Sequence, residues 1–295
     1  MADFNHLTFC HQTLNDWLQR LQHPDFKIHL PKPLGRFKRM AGAHFHFHPE
    51  LFLQMSGMTR FIFPNEKINL YAGEALLAPR GLPHGEIAHH WRGDFQNLVV
   101  MFPHDGVSIH RAGMGTETKP QVLAGEYFTT RKGSQIAQYL DDIEDLRNSP
   151  SSRGDPEVKY AIKSLFQAAL AHLLLVVKQP HIPFNKEESP KIRECHIYII
   201  SHLYEPSLSV KKLAGQLHCS ADYLSHLFAA ETGQHLTEFI QQERMALAKH
   251  NLGNPTLSIK EIAWSCGYSD PSYFTRLFRR LSGKTPKSFR RKLNP

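Results

Sequence analysis

Leu257 to Pro286 reads LSIKEIAWSCGYSDPSYFTRLFRRLSGKTP, and few folds accept such a stretch. Ser258 and Glu261 have the spacing of a capping box, in which each side chain satisfies a helix N–H near the other. Ile259, Ile262, Ala263 and Cys266 follow at helical spacing, so one side of a short helix is apolar. Gly267 stops it, because glycine adopts positive φ without strain. Asp270 as N-cap and Pro271 at the first helical position open a second helix. Phe274, Leu277, Phe278 and Leu281 make its inner face; Ser272, Thr275, Arg276, Arg279 and Arg280 are left outward. Gly283 ends this helix and Thr285-Pro286 opens a third. Two short capped helices on a tight turn form a helix-turn-helix unit, whose second helix enters a DNA major groove. Hydroxyl and guanidinium groups on its outer face read base edges or clamp phosphates. A plain helical hairpin with a solvated basic face fits the same pattern, so the rest of the chain decides.

The chain has 295 residues and 41% hydrophobic content, enough for two packed domains of roughly 150 residues each. Cys10, Cys195, Cys219 and Cys266 show no CxxC spacing. That argues against a zinc ribbon or disulfide framework and for a reducing, cytoplasmic setting. No signal pattern opens the sequence and no apolar run reaches the ~18 residues of a membrane span, so no membrane partner is expected. Charge is uneven: residues 191–295 carry 15 Lys/Arg against 8 Asp/Glu, while residues 1–190 carry 20 against 19. A basic end beside a near-neutral body fits a nucleic-acid module attached to something else.

In chain order, Met1 to about Arg39 reads as extended segments and turns, with Trp17, Leu18 and Leu21 on at most a short helix. Ala43 to Pro64 follows as AHFHFHPELFLQMSGMTRFIFP. Strand alternation places His44, His46, His48 and Glu50 on one face and Phe45 and Phe47 on the other. Ser56-Gly57 reads as a turn with a returning strand at Thr59 to Phe63. Gly73-Glu74 is a turn, Ala75 to Ala78 a buried strand, Pro79 to Pro83 a stiff loop ending at His84, and Phe95 to Phe102 another strand. Short strands with Gly/Pro turns indicate a sandwich or small barrel. Over residues 35–105 the pattern resembles the cupin superfamily. His44, His46, Glu50 and Gly57 have the spacing of its first motif; Gly73, Pro79, Gly81 and His84 have that of its second. Ala88 stands where the family has Asn, and the leading Gly of the first motif is absent. The resemblance implies a β-barrel pocket. His44, His46, His48, Glu50 and His84 are its ligand-binding candidates. His44, His46, Glu50 and His84 can hold a divalent transition metal, since imidazole with carboxylate suits Fe, Mn, Zn or Ni; a small molecule held by hydrogen bonds uses the same side chains. No residue is assigned to catalysis. His89, His90, His104 and His110 are expected at the surface.

Gly106 to Gly125 reads as a connection. Ser134 to Asn148 is an amphipathic helix with an acidic face, and Pro156 opens a second helix to about Lys178, apolar nearly all round, which suits a dimer element as well as intrachain packing. Gln179 to Pro190 is the best domain boundary. Beyond it, Lys191 to Tyr204 is a helix, Ser209 caps another, and a further helix after Ser220 buries Leu224, Leu227 and Phe228 and ends at Gly233. Asp222, Ser225, His226 and Ala229 face outward there, with little positive charge. Two helix-turn-helix units thus flank a connecting helix, Leu236 to Leu252. That helix spans roughly 24 Å, and with its turns it can set two recognition helices one DNA turn, ~34 Å, apart.

Residues 191–293 resemble the DNA-binding domain of AraC/XylS-type transcription regulators. The residues that carry it include Leu213-Ala214, Ser220, Tyr223-Leu224, Leu227-Phe228, Glu231-Thr232-Gly233, Arg244, Ile262-Ala263, Gly267-Tyr268, Asp270, Ser272-Tyr273-Phe274, Arg276, Phe278, Gly283, Thr285-Pro286 and Arg290. The expected architecture is α+β in two domains. Residues 1–130 form a cupin-like β-barrel that senses ligand, 131–190 a helical dimerisation and linker region, and 191–295 an all-α domain with two helix-turn-helix motifs. The expected function is a non-enzymatic, sequence-specific transcription regulator controlled by a sugar or related metabolite. Its expected partners are double-stranded promoter half-sites, a second copy and RNA polymerase. Asp222, Ser225, His226, Ser272, Thr275, Arg276, Arg279 and Arg280 are the DNA-contact candidates, Arg279 and Arg280 on phosphates. A metal-dependent cupin enzyme fused to a DNA-binding domain is the alternative.

Overall fold

The computed structural model describes residues 6–34, 40, 43–91, 93–103, 106–115, 118–149, 155–179 and 188–293. It divides into two compact units: Met1–Ala43 with His48–His181, and His44–Phe47 with Ile182–Pro295. The first is α+β and sheet-rich; the second is helical.

The first unit runs α1 (His6–Arg20), β1 (Ile28–His29), β2 (Glu50–Ser56), β3 (Met58–Ile62), β4 (Lys67–Tyr71), β5 (Ala75–Ala78), β6 (Gly85–His89), β7 (Gln96–Met101), β8 (Gly106–Met114), β9 (Pro120–Thr129), α2 (Lys132–Asn148) and α3 (Pro156–Val177). Six strands form one sheet in the order β1-β5-β2-β7-β8-β9, and three form another in the order β4-β3-β6. Strand β2 pairs with β5 and β7, and β3 with β4 and β6. The Ser56-Gly57 turn therefore carries the chain from one sheet to the other. Gly57 is required there: φ is +69°, and a Cβ would lie 2.9 Å from the His89 carbonyl oxygen and from Phe95 Cα.

Leu51 and Leu53 of β2, Leu98 and Val100 of β7, and Val107 and Ile109 of β8 pack under Leu14 and Trp17 of α1, Ile136 and Leu140 of α2, and Phe166, Leu170 and Leu173 of α3. Phe52 points the other way, its ring 4.7 Å from that of Phe61. With both faces of β2 buried, the strand shows no polar alternation.

Two expectations fail in this unit. The N-terminal segment is not extended: α1 has 15 residues and buries Cys10, Leu14 and Trp17, a helical face whose signal was masked by the prolines that follow it. Nor is Gly106 to Gly125 a connection, since β8 and β9 occupy it. Its glycines mark close approach: a Cβ on Gly106 would sit 2.1 Å from the Phe128 carbonyl oxygen. Both later helices form as expected. Asp155 caps α3 by accepting the Glu157 N–H at 2.8 Å. At 22 residues α3 is long and apolar enough to cross a membrane by composition, but here Phe166, Leu170, Leu173 and Val177 lie in the core while Tyr160 and Leu175 are exposed. Most of the expected boundary, Gln179 to Pro190, lies outside the described residues.

The second unit runs α4 (Pro190–His202), α5 (Val210–Gln216), α6 (Ala221–Thr232), α7 (Leu236–Leu252), α8 (Ile259–Ser265), α9 (Pro271–Ser282) and α10 (Pro286–Leu293). Its core holds Ile192, Cys195, Ile199, Leu213, Leu224, Phe228, Ala248, Leu252, Ile262, Phe274 and Phe278.

Candidate nucleic-acid interface and sensor residues

Helices α5–α6 and α8–α9 are two copies of one local design. Ser209 and Ser258 cap the first helix of each, Ser209 by accepting the Lys212 N–H and Ser258 through a complete capping box with Glu261. In each turn an N–H reaches back five residues at 2.9 Å, Cys219 to Ala214 and Tyr268 to Ala263. Positive φ falls at His218 (52°) in one turn and Gly267 (78°) in the other. Ser220 and Asp270 cap the second helices. Gly233 and Gly283 end them in the left-handed region at φ 71° and 72°. Even the aromatic buttress repeats, with Phe228 against Phe239 at 5.3 Å and Phe278 against Phe289 at 5.5 Å. The same caps, turn bonds and aromatic contacts thus recur around α6 and α9.

On α9, Ser272, Arg276, Arg279 and Arg280 are exposed, as are Asp222 and His226 on α6. Ser225 and Thr275 are only half-exposed, and their hydroxyls donate to their own helices: Ser225 to the Ala221 carbonyl at 2.8 Å and Thr275 to the Pro271 carbonyl at 2.9 Å. Leu281, expected to face inward, is 49% exposed. An open groove of about 450 Å³ runs beside α9, lined among others by Gln241, Tyr268, Asp270, Tyr273 and Arg276.

The sensor candidates do not share one strand face, because β2 begins only at Glu50. His46, His48, Glu50 and His84 are buried. Glu50 and His84 come together in the first unit, carboxylate oxygen to Nε2 at 3.3 Å. Burial alone lowers the His84 imidazole, but the hydrogen bond and charge of Glu50, with the charge of Glu86, outweigh it and raise the pKa. A buried imidazole beside a buried carboxylate is a donor set that a divalent transition metal accepts. His44 and His46 instead belong to the second unit. The Tyr204 hydroxyl lies 2.9 Å from His44 Nδ1, and its ring is 5.1 Å from that of His46. Phe45 and Phe47, rather than lining a common strand face, meet edge-on at 5.0 Å. His110, expected at the surface, is buried on β8; His104 lies outside the described residues. Cys10, Cys195 and Cys266 are buried, and desolvation pushes each thiol up to about 12.

Residues 213–292 match the family model for a helix-turn-helix domain. The chain is 34% identical over 245 residues to the HTH-type transcriptional regulator YijO of Escherichia coli, covering 82% of this chain and 81% of that protein. The protein belongs to the AraC/XylS family of transcription regulators. It is 25% identical over 247 residues to the Msm operon regulatory protein of Streptococcus mutans, covering 81% and 82% of the two chains. With the arabinose operon regulatory protein of Escherichia coli it shares 25% identity over 171 residues, 58% of this chain and 57% of that one. Among solved structures, the DNA-binding domain of AdpA in complex with a target DNA is similar at 26% identity and TM-score 0.33, over 35% of this chain and 93% of that one.

In this AraC/XylS regulator the second helix-turn-helix hangs on Arg244 of α7, which is 9% exposed. Its Nε donates to the Leu203 carbonyl at 3.0 Å and a terminal NH2 to the Glu205 carbonyl at 2.6 Å. Its guanidinium also lies over the Tyr268 ring, 5.4 Å from the centroid. One buried cation therefore ties the end of α4, the middle of α7 and the α8–α9 turn together. The sequence marks Arg244 through the family resemblance but gives it no role, because the carbonyls it binds lie some 40 residues away.

Proposed function

We propose that this regulator reads promoter DNA through the exposed faces of α6 and α9 and is controlled by a small molecule bound in the sheet-rich unit. The observation that carries the reading is the duplicated presentation of two recognition helices, one bearing three exposed arginines. In it, α9 supplies most of the affinity: Ser272 and Arg276 face base edges, and Arg279 and Arg280 face phosphates. Helix α6 offers Asp222 and His226, which read bases through bridging water, while Ser225 and Thr275 chiefly shape their helices.

The domain reading assigns residues 1–130 to a cupin-like sensor, 131–190 to the dimerisation and linker region, and 191–295 to DNA binding. Exposed Tyr160 and Leu175 on α3 support a homodimer through that helix. The effector is a sugar or related metabolite, a class suggested by the relative named for an arabinose operon. His48, Glu50 and His84 are its polar contacts in the first unit, and a divalent transition metal is the other occupant whose chemistry suits the Glu50–His84 pair. The sequence motif adds His44 and His46 to the ligand or metal candidates. The protein acts in the cytoplasm with RNA polymerase and performs no catalysis of its own.

The test is equilibrium binding of the full chain to a selected duplex and a random one. Arg276→Ala is expected to weaken the selected duplex by ~1–3 kcal/mol and the random duplex by much less. Equal loss on both would make Arg276 a phosphate contact and remove the base-reading role.

A further inference from the structure

The first turns of α6 and α9 carry a matched pair to which the motif reading gave no role of its own. Tyr223 and Tyr273 stand at the same position of the two copies, three residues after the N-caps Ser220 and Asp270. They are 52% and 46% exposed, rare for large aromatic side chains in this structure. Neither phenol hydroxyl hydrogen-bonds any described residue, whereas the hydroxyls of Ser225 and Thr275 are taken by backbone carbonyls. Each tyrosine lies about 60° around its helix from the outermost long side chain, His226 on α6 and Arg276 on α9. That places it on the flank of the outward face. Tyr273 lines the open groove with Arg276 and Gln241, and its ring is 6.2 Å from that of Tyr268.

We propose that Tyr223 and Tyr273 are a matched pair of DNA-backbone anchors: each phenol donates to a phosphate oxygen while its ring covers the adjoining deoxyribose. The inference rests on α6 and α9 being the DNA-facing helices. A flank position suits backbone better than base edges, because the centre of a recognition helix meets the bases and its sides meet the groove walls. Exposed Arg276, Arg279 and Arg280 make the neighbouring surface complementary to phosphate. Two anchors of equal reach at equal positions fix both helices at the same depth, which α6, without lysine or arginine, needs more than α9 does.

A neutral donor makes a distinctive prediction. It adds affinity without displacing counterions, so it leaves the salt dependence of binding alone, whereas each phosphate-bound arginine contributes close to one unit of slope. The full chain is titrated against a duplex enriched by the wild type and against a random duplex between 50 and 200 mM salt. Tyr223→Phe and Tyr273→Phe keep the rings, and far-UV circular dichroism checks their fold. Each is expected to weaken both duplexes alike by about 3–10-fold, the double variant by about the product, with unchanged slope and base preference. Arg279→Ala, by contrast, lowers the slope. Phe variants that bind like wild type, a double variant no weaker than either single, or a loss confined to the enriched duplex with altered base preference would each overturn the proposal. If wild type binds no duplex, or Arg276→Ala changes nothing, it is the underlying DNA-facing assignment that fails.

Discussion

Gly267→Ala tests how the second helix-turn-helix is held. Gly267 sits at φ +78°, and a Cβ there would lie 2.5 Å from the Leu203 carbonyl oxygen, 2.7 Å from a terminal nitrogen of Arg244 and 2.8 Å from its Cζ. The left-handed conformation alone costs an alanine about 1 kcal/mol. The contacts add more, because neither neighbour is free to move. Leu203 is backbone at the end of α4, and Arg244 is fixed by its bonds to the Leu203 and Glu205 carbonyls. Admitting a methyl means loosening at least one of those charged hydrogen bonds, about 1.5–3 kcal/mol, with some overpacking beside it. The expected total is roughly 3–5 kcal/mol. Gly283→Ala is the control: φ is +72°, but nothing lies within 4 Å of its Cβ, so only the conformational cost of about 1 kcal/mol applies. Native-state hydrogen exchange of the slowest amides in α7 and α9, read in the full chain, reports the second unit separately from the first. Equal losses in the two variants would refute the argument that close approach, rather than φ alone, demands glycine at 267.

Two shorter predictions concern other sites. His218 takes φ 52° where the second copy has glycine, so His218→Gly should stabilise the second unit by about 0.5 kcal/mol, the relief of left-handed strain less the added freedom of the unfolded chain; a lower urea midpoint would contradict this. Burial, with the charges of Asp141 and Asp145, pushes the Glu144 carboxyl up to about 7. Its folded pKa exceeds its unfolded value, so its ionisation costs the folded state progressively as pH rises from about 4.5 to 7; discounted for partial exposure this is about 1 kcal/mol. Glu144→Gln should therefore narrow the drop in urea midpoint between pH 5 and pH 8, and an unchanged drop would assign it to other groups.

The C-terminal unit was largely legible because its signals are local. Caps at Ser209, Ser220, Ser258 and Asp270, and stops at Gly233, Gly267 and Gly283, are decided within one turn of helix, so sequence spacing locates them to the residue. What escaped was set by partners distant in sequence. The role of Arg244 depends on carbonyls some 40 residues away, and Leu281, one residue before the end of α9, stays exposed although its spacing matches the inner face. Ser225 and Thr275 looked like outward hydroxyls, yet a hydroxyl in a helix competes for the carbonyl four residues back. In the sheet-rich unit, glycine was ambiguous. Gly57 and Gly73 do mark turns, whereas Gly106 and Gly113 lie within β8, where a strand packs too closely for a side chain. The His44-x-His46 spacing suggested a strand face, but Pro49 stands between it and β2, and only Glu50 onward enters the ladder.

The most direct test of the central claim is selection from a random duplex library by the purified full chain at physiological salt, followed by sequencing. Two recognition helices presented alike predict enriched sites with two conserved elements about 10–10.5 base pairs apart, centre to centre, the one facing α9 the more strongly conserved. Enrichment of a single element, or of paired elements with no fixed spacing, would contradict the account of two coupled reading heads.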